Sequence, residues 1–410
     1  MRDALSTSSG HALFAHRSKL HQLTMKNTQH GSCGLRLWKG KAESERPEQS
    51  QVYLVTGGCG FIGEKITELL SQQDYIKEVR VFDSVARKEV ENFATATTHV
   101  TVMKGDIRDY NLLLAAMQGV HVVIHTAAIV DYRNTLPFWE MKAVNVGGTE
   151  NVLRACCALN IPYVVYTSSI AAVGPNVLHE PMLRGNEDTK YSGEVELPYG
   201  KTKAMAERLV LEANGKKLTN GGKLTTCIIR ANTVYGEKAM FLHDLYLSAK
   251  AHNGVLNYLE PEHTERNSMY VGNVAWMHVL AARQLQLKPD ILAGQVYYSY
   301  DDTPTTKGFL IRYQLLSCMD PSIRLGSRIP YWKMWLLIHL HRIIEVILSP
   351  FWKPRPFLNF PLLHTIVTTF SYETDKAFRH FGYQPLYSWQ ESKVRTARWL
   401  EVAVGNLSSQ

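Results

Sequence analysis

The chain has 410 residues, 45% of them hydrophobic and 20% charged, with a formal net charge of +8. That is apolar sequence enough for one large domain or two smaller ones, and it excludes a disordered, collagen-like or small disulfide-stapled protein. Residues 1–50 hold eight Lys/Arg against four Asp/Glu, so the remaining chain carries only a modest positive excess and no basic face for nucleic acid.

In chain order, residues 1–50 contain no sustained apolar run, which excludes a secretory signal in this stretch. They read as a disordered or targeting extension. The bias of seven Lys/Arg against Asp3 alone in the first 42 residues fits a mitochondrial transit peptide, a plain extension, or leader sequence upstream of a later start such as Met25. From Gln51 the texture changes. Apolar, β-rich runs occur at 52–56, 79–83, 99–103, 121–126, 163–169 and 225–231, with amphipathic stretches at Glu64–Gln73, Tyr110–Met117 and Trp139–Ala158 between them. Strands apolar on both faces, alternating with helices, predict a doubly wound parallel sheet of the Rossmann type. After Val234 the pattern becomes irregular. The expected division is an NAD-binding domain over 51–234 and a smaller C-terminal substrate lobe over 235–410. The six cysteines form no CxxC pair and no metal-like spacing with histidine, so reduced thiols facing the cytosol and no metal site are expected.

The strongest chemical signal is VYLVTGGCGFIG, in which Gly57, Gly60 and Gly63 stand between a strand and a helix. The first glycine permits a tight turn, the second admits a pyrophosphate, and the third lets helix and strand pack closely. The loop and helix start, Gly57, Gly58, Cys59, Gly60, Phe61, Ile62 and Gly63, are therefore the candidate phosphate cradle. Asp83 ends the second strand twenty residues past Gly63, where a carboxylate accepts ribose hydroxyls and repels a 2′-phosphate, selecting NAD over NADP; Arg87 nearby weakens that discrimination. Asp106, after the third strand, either contacts the adenine region or caps the next helix. Tyr199 and Lys203 share a helical face four residues apart, so the ammonium can stabilise a phenolate. Ser168 and Ser169 close the fifth strand, where a hydroxyl can meet a substrate oxygen.

These pieces resemble the extended short-chain dehydrogenase/reductases. Through VTGGCGFIG, VNVGGTENVLRAC, YTSSIAAVGPN, PYGKTKAMAERLVLEANG and YVGNVAWMHVLAAR they resemble, more narrowly, the 3β-hydroxysteroid dehydrogenase/Δ5-isomerase family, in its branch acting on C27 sterols. The resemblance implies NAD-dependent oxidation of a 3β-hydroxy-Δ5-steroid, such as a 7α-hydroxycholesterol, with Δ5 to Δ4 isomerisation in bile-acid synthesis. It makes Tyr199 the catalytic tyrosine, Lys203 its partner, Ser169 the serine and Asn145 a supporting residue; Tyr199 and Lys203 would also touch the cofactor. Thr202 stands where the family has serine. Alternatives are oxidation of C19/C21 steroids, a sterol-4-carboxylate 3-dehydrogenase, or a non-catalytic NAD-binding regulator.

Near the C-terminus, Tyr331–Phe351 holds ten Leu, Ile, Val and Phe plus Trp332 and Trp335, but also Lys333, Arg342 and Glu345. The apolar gain and the cost of three charges nearly balance if Lys333 snorkels and Arg342 pairs with Glu345, so the segment is expected to lie in a membrane face. The expected partners are a sterol, a membrane surface and a second copy of the chain. The expected location is the endoplasmic-reticulum membrane with the catalytic domain facing the cytosol; mitochondrial targeting by the extension is the alternative.

Overall fold

The first strand of the sheet, β1 (Gln51–Thr56), sends Tyr53 and Val55 into one apolar layer and Leu54 into another, all three fully buried. A computed structural model describes the chain over residues 51–348 and 358–408, so the expectations for residues 1–50 and for 349–351 lie outside the described residues. Around β1 stand β2 (Ile76–Asp83), β3 (His99–Lys104), β4 (Val122–His125), β5 (Tyr163–Ser169), β6 (Thr225–Ala231) and β7 (Gln295–Tyr298). The spatial order is β3-β2-β1-β4-β5-β6-β7, with every neighbouring pair parallel. Order reverses between β1 and β4, where a doubly wound sheet opens its ligand crevice.

Helices cover both faces. On one side α1 (Phe61–Ser71) contributes Ile66, Leu69 and Leu70. On the other, α2 (Tyr110–Ala116), α3 (Thr149–Ala158) and α4 (Pro198–Ala213) bury Leu113, Val152, Cys156, Ala206 and Val210. The stretch expected as one helix over 139–158 contains a π-turn at Ala143–Gly148, with short helix Phe138–Lys142 before it and α3 after it.

Beyond residue 234, α5 (Met240–Ala251) belongs to the C-terminal lobe, but α6 (Val271–Leu287) returns to pack beside α1 and leads to β7. A boundary at Val234 thus cuts through the sheet: α6 supplies Val274, Met277, Ala281 and Leu285 to its core. The lobe is completed by α7 (Gly308–Met319), α8 (Tyr331–Leu348), α9 (Phe360–Val367) and α10 (Trp389–Ser408). Phe370–Tyr372 pairs in parallel with Met182–Gly185, stitching the lobe to the loop that follows β5.

Of the 18 residues of α8 only Met334 and Ile338 are buried. They pack on Leu358 and Leu363, while Trp332, Trp335, Leu336, Ile343, Val346 and Ile347 are exposed. Arg342 lies over the Phe360 ring at 5.3 Å. Among the described residues no helix is long and apolar enough to cross a membrane. The cysteines Cys59, Cys156, Cys157, Cys227 and Cys318 are all free.

Candidate active site

A cleft of about 390 Å³ lies over the carboxyl ends of β1 and β4. At its floor Gly57 turns the chain at φ +71°, a left-handed conformation, and its N–H donates to Phe82 O at 2.8 Å. A Cβ on Gly63 would stand 2.1 Å from Gly57 O, so only hydrogen lets α1 seat on the turn. Gly60 is the N-cap of α1 and no side chain caps it, which leaves the first N–H groups of the helix beside the cleft that Phe61, Ile62 and Gly63 line. Gly58 and Cys59 do not line it: Gly58 packs on Val81, and Cys59 is buried with its N–H donating to Asp83 Oδ2 at 2.9 Å. Their place is behind the cradle, aiming the carboxylate.

Asp83 sits at the rim at the end of β2, and its Oδ1 accepts from Val85 N at 2.9 Å. Each carboxylate oxygen keeps capacity for a hydroxyl donor. Arg87 is engaged by Cys59 O and by the Glu64 carboxylate, so its charge is partly neutralised. Asp106 lines the cleft, and Arg108 grips both of its oxygens and holds its carboxyl below the usual value. It does not cap α2; Asp109 does, accepting from Asn111 N and Leu112 N.

Tyr199 and Lys203 lie in α4, buried, with Pro198 in the first turn. Burial pushes the Tyr199 phenol well above its ordinary value, and Tyr132 and Tyr166 add to that, while a hydrogen bond from Ser169 opposes it. Burial pushes the Lys203 amine down to about 7 against the opposing Glu207 carboxylate. Lys203 Nζ donates to Thr167 O at 2.6 Å and stands 4.4 Å from the Tyr166 ring centre. Ser169 Oγ accepts from Ala171 N at 3.1 Å, whereas the Ser168 hydroxyl is buried with no hydrogen-bond partner. Of the two strand-end serines, Ser169 is the one brought to the tyrosine.

Asn145, in the π-turn, donates to Ile129 O and to Thr202 Oγ1, both at 2.9 Å, and accepts from Ile129 N at 2.7 Å. Thr202 in turn donates to Tyr199 O at 2.7 Å. The hydroxyl at 202 is therefore a working part of the site.

Three neighbours had no sequence signal. Tyr132 packs on Tyr199 with ring centres 5.0 Å apart. His278 Nδ1 donates to Val274 O at 2.8 Å, so its Nε2 accepts from the Thr167 hydroxyl at 2.8 Å, and burial holds the ring neutral, down to about 4. His125, pushed to about 3 by burial and then by Lys203, bridges Thr56 and Thr149. Each comes from a different element, and only the folded sheet gathers them.

The uncapped helix suits a pyrophosphate and Asp83 suits ribose hydroxyls, so the residues present fit NAD. Beside Thr167, which lines the cleft and accepts from Lys203 Nζ, a buried tyrosine, lysine and serine suit proton transfer to or from an alcohol oxygen. These parts define a Rossmann-fold short-chain dehydrogenase/reductase. Residues 54–328 match the family described as 3-beta hydroxysteroid dehydrogenase/isomerase. The chain is 42% identical over 357 residues to the 3 beta-hydroxysteroid dehydrogenase type 7 of Mus musculus, covering 87% of this chain and 97% of that one. It is 42% identical over 362 residues to the Homo sapiens protein of the same name, covering 87% and 98%. A dTDP-glucose 4,6-dehydratase from Streptomyces venezuelae, solved with NAD and TYD bound, shares the fold at a TM-score of 0.62 and 21% identity, over 87% of this chain and 98% of its own. The chain belongs to the 3-beta hydroxysteroid dehydrogenase/isomerase family, and as a member it is an NAD-dependent 3β-hydroxysteroid dehydrogenase.

Proposed function

We propose that this chain oxidises the 3β-hydroxyl of a C27 Δ5-sterol of the 7α-hydroxycholesterol type, with Tyr199 as the proton acceptor. The observation that carries the reading is the buried Tyr199 with Ser169 at its phenol and Lys203 held on Thr167 O, Thr167 lining the same cleft as the uncapped start of α1. Ser169 holds the alcohol oxygen against the phenol. Tyr199 takes the hydroxyl proton, and Lys203, fixed by Thr167 O, stabilises the phenolate that makes this possible. NAD would supply the hydride acceptor for C3. The Gly57–Gly63 turn would hold its pyrophosphate, Asp83 its adenosine ribose, and Asp106 would border the adenine end. The resulting β,γ-unsaturated ketone has acidic C4 protons, and migration of its double bond into conjugation is the second reaction of the family.

Supporting the sterol class is the 42% identity to type 7 relatives over almost their whole length. Supporting a membrane site of action is α8, whose apolar side chains face outward with only Met334 and Ile338 buried. The helix lies along the endoplasmic-reticulum surface, its tryptophans at the headgroup level, where a water-insoluble sterol is reached directly. The testing experiment is turnover with NAD on a panel of 3β-hydroxy-Δ5 sterols of differing side-chain length, with products identified. Preference for full-length side chains and a conjugated 3-ketone product is expected. Equal or better turnover of C19 and C21 steroids overturns the C27 assignment.

A further inference from the structure

Away from the cleft, three side chains converge from distant parts of the chain. His179 follows β5, Glu196 lies in the loop entering α4, and His364 is on α9; one ligand atom of each falls within 4.8 Å of the others. His364 Nδ1 is 2.8 Å from Glu196 Oε1, and His364 Nε2 is 3.2 Å from the Tyr331 hydroxyl. His179 Nε2 is 3.1 Å from Glu196 Oε2. That last approach is close but misdirected: both atoms are buried and neither has a hydrogen-bond partner. A histidine–carboxylate pair normally points the N–H at the acceptor. Two polar atoms this near that ignore each other are aimed at a third point. The two imidazole rings are also drawn together, 4.0 Å between centres, with like polar edges on one carboxylate.

Two imidazole nitrogens and one carboxylate oxygen are a donor set that zinc takes, with water in the fourth position. In a tetrahedral site with bonds near 2.05 Å, neighbouring ligand atoms stand about 3.3 Å apart. The observed 2.8 and 3.1 Å run to different oxygens of Glu196, so its carboxylate turns to bring one oxygen onto the cation, within a set whose ligand atoms already lie within 4.8 Å of one another. With Nδ1 of His364 on the cation, its Nε2–H donates to the Tyr331 oxygen, the outer hydrogen bond that metal-ligating histidines ordinarily make. His179 is partly exposed, which gives the cation a way in.

We propose that His179, Glu196 and His364 form a divalent-cation site suited to Zn²⁺. The site takes no part in hydride or proton transfer. It fastens α9 to the segment that leads into the catalytic helix, since Glu196 precedes Tyr199 by three residues. Asn359, the N-cap of α9, donates to Tyr132 O at 3.1 Å, so the position of α9 is felt at the tyrosine that packs on Tyr199. Sequence spacing carries no signal for such a site, because 168 residues separate Glu196 from His364.

The test uses the full chain in detergent, stripped by chelator, with Zn²⁺ alone as the ligand and Co²⁺ as its spectroscopic probe. Wild type is expected to bind one more equivalent of Zn²⁺ than His179→Gln, Glu196→Gln or His364→Gln, with at least tenfold weaker affinity at this site in each variant. Wild type loaded with Co²⁺ should show the visible bands of a four-coordinate nitrogen/oxygen site. Zn²⁺ should raise the Tm of wild type and not of the variants. Equal stoichiometry and affinity in wild type and variants assigns the binding to scattered surface histidines and overturns the proposal. Should a variant fold poorly, the wild-type Co²⁺ spectrum decides alone: octahedral bands only, or no binding, overturns it.

Discussion

Two helices of nearly equal length, α4 with 16 residues and α8 with 18, hide opposite things. α4 buries Tyr199, Thr202, Lys203 and Glu207, the polar side chains a helix usually shows to water. Each is answered by another element: Lys203 by Thr167 O, Thr202 by Asn145, Glu207 by Arg230 at 2.8 Å, Tyr199 by Ser169. α8 does the reverse and exposes Trp332, Ile343, Val346 and Ile347. Nothing described in the chain covers them. A buried polar group is tolerable where a partner is built for it, and an exposed apolar face of this extent marks a surface that meets something other than water. The first helix is therefore read from inside the molecule, the second from outside.

The largest expected effect tests the inner helix. Tyr199→Phe keeps the ring and its packing on Tyr132 but removes the proton acceptor, so steroid oxidation should fall by a factor on the order of 10²–10⁴. NAD affinity, measured by titration, should change little; a near-normal rate would break the assignment of α4. The outer helix is tested next. Each large apolar side chain that leaves a non-aqueous surface costs about 1.5–3 kcal/mol, so the triple change Trp332→Ser, Ile343→Ser, Ile347→Ser should weaken binding to vesicles of microsomal lipid by roughly 10²-fold or more. Sedimentation with the vesicles reads it, and unchanged binding would show that α8 is not the docking face.

Asp83→Asn sharpens the comparison at the far end of the cleft. Loss of charge-assisted ribose hydrogen bonds, worth about 1.5–3 kcal/mol each, should weaken NAD by about tenfold or more, with NADP gaining relative to NAD. An unmoved NAD/NADP ratio would take Asp83 off the ribose.

Lys203 carries a pH signature. Its amine is held near 7 in the folded chain against an ordinary 10.5, so between those values the unfolded chain binds a proton that the native state has released. Stability of the cofactor-free protein should therefore rise with pH across that window, by up to about 1.4 kcal/mol per unit, and fall as pH drops through it. Urea midpoints at pH 7, 8 and 9 measure this slope, which Lys203→Met should flatten. The smallest effect is expected at Thr202: Thr202→Ser retains the hydroxyl between Asn145 and Tyr199 O, while Thr202→Val leaves Asn145 short of a partner, at about 1–3 kcal/mol. Unfolding of the two variants side by side separates them.

The parts of the molecule legible in the sequence are those whose reason is local. Strands β1, β4, β5 and β6 bury successive residues on both faces, β2 and the edge strand β3 less completely, and the Gly57–Gly63 turn announces its own backbone demand. Local logic failed where neighbours compete. Asp106 and Asp109 both precede α2, and only the fold shows that Arg108 occupies the first and leaves the cap to the second. The helix expected over 139–158 gains a π-turn because Asn145 is drawn to the backbone of Ile129 and Gly148 lies against Ile107. What could not be read at all was assembled across the chain: β7 on β6, Tyr132 on Tyr199, His278 under Thr167. None has a spacing that marks it.

The late arrival of β7 sets a timetable for biosynthesis. β6 ends at Ala231 and its outer neighbour begins at Gln295, so a ribosome adding roughly 5–20 residues per second exposes the flank of β6 for some 3–13 s before the strand that covers it exists. During that interval α6, which covers one face of the sheet, is also only emerging. The nascent chain therefore carries an open, apolar sheet margin while the first part of its lobe is still being made, and the cofactor cleft can become stable only after the lobe has begun to fold around the detour. A fragment released at residue 234 would be left permanently at that stage, with a sticky strand and no partner to take it.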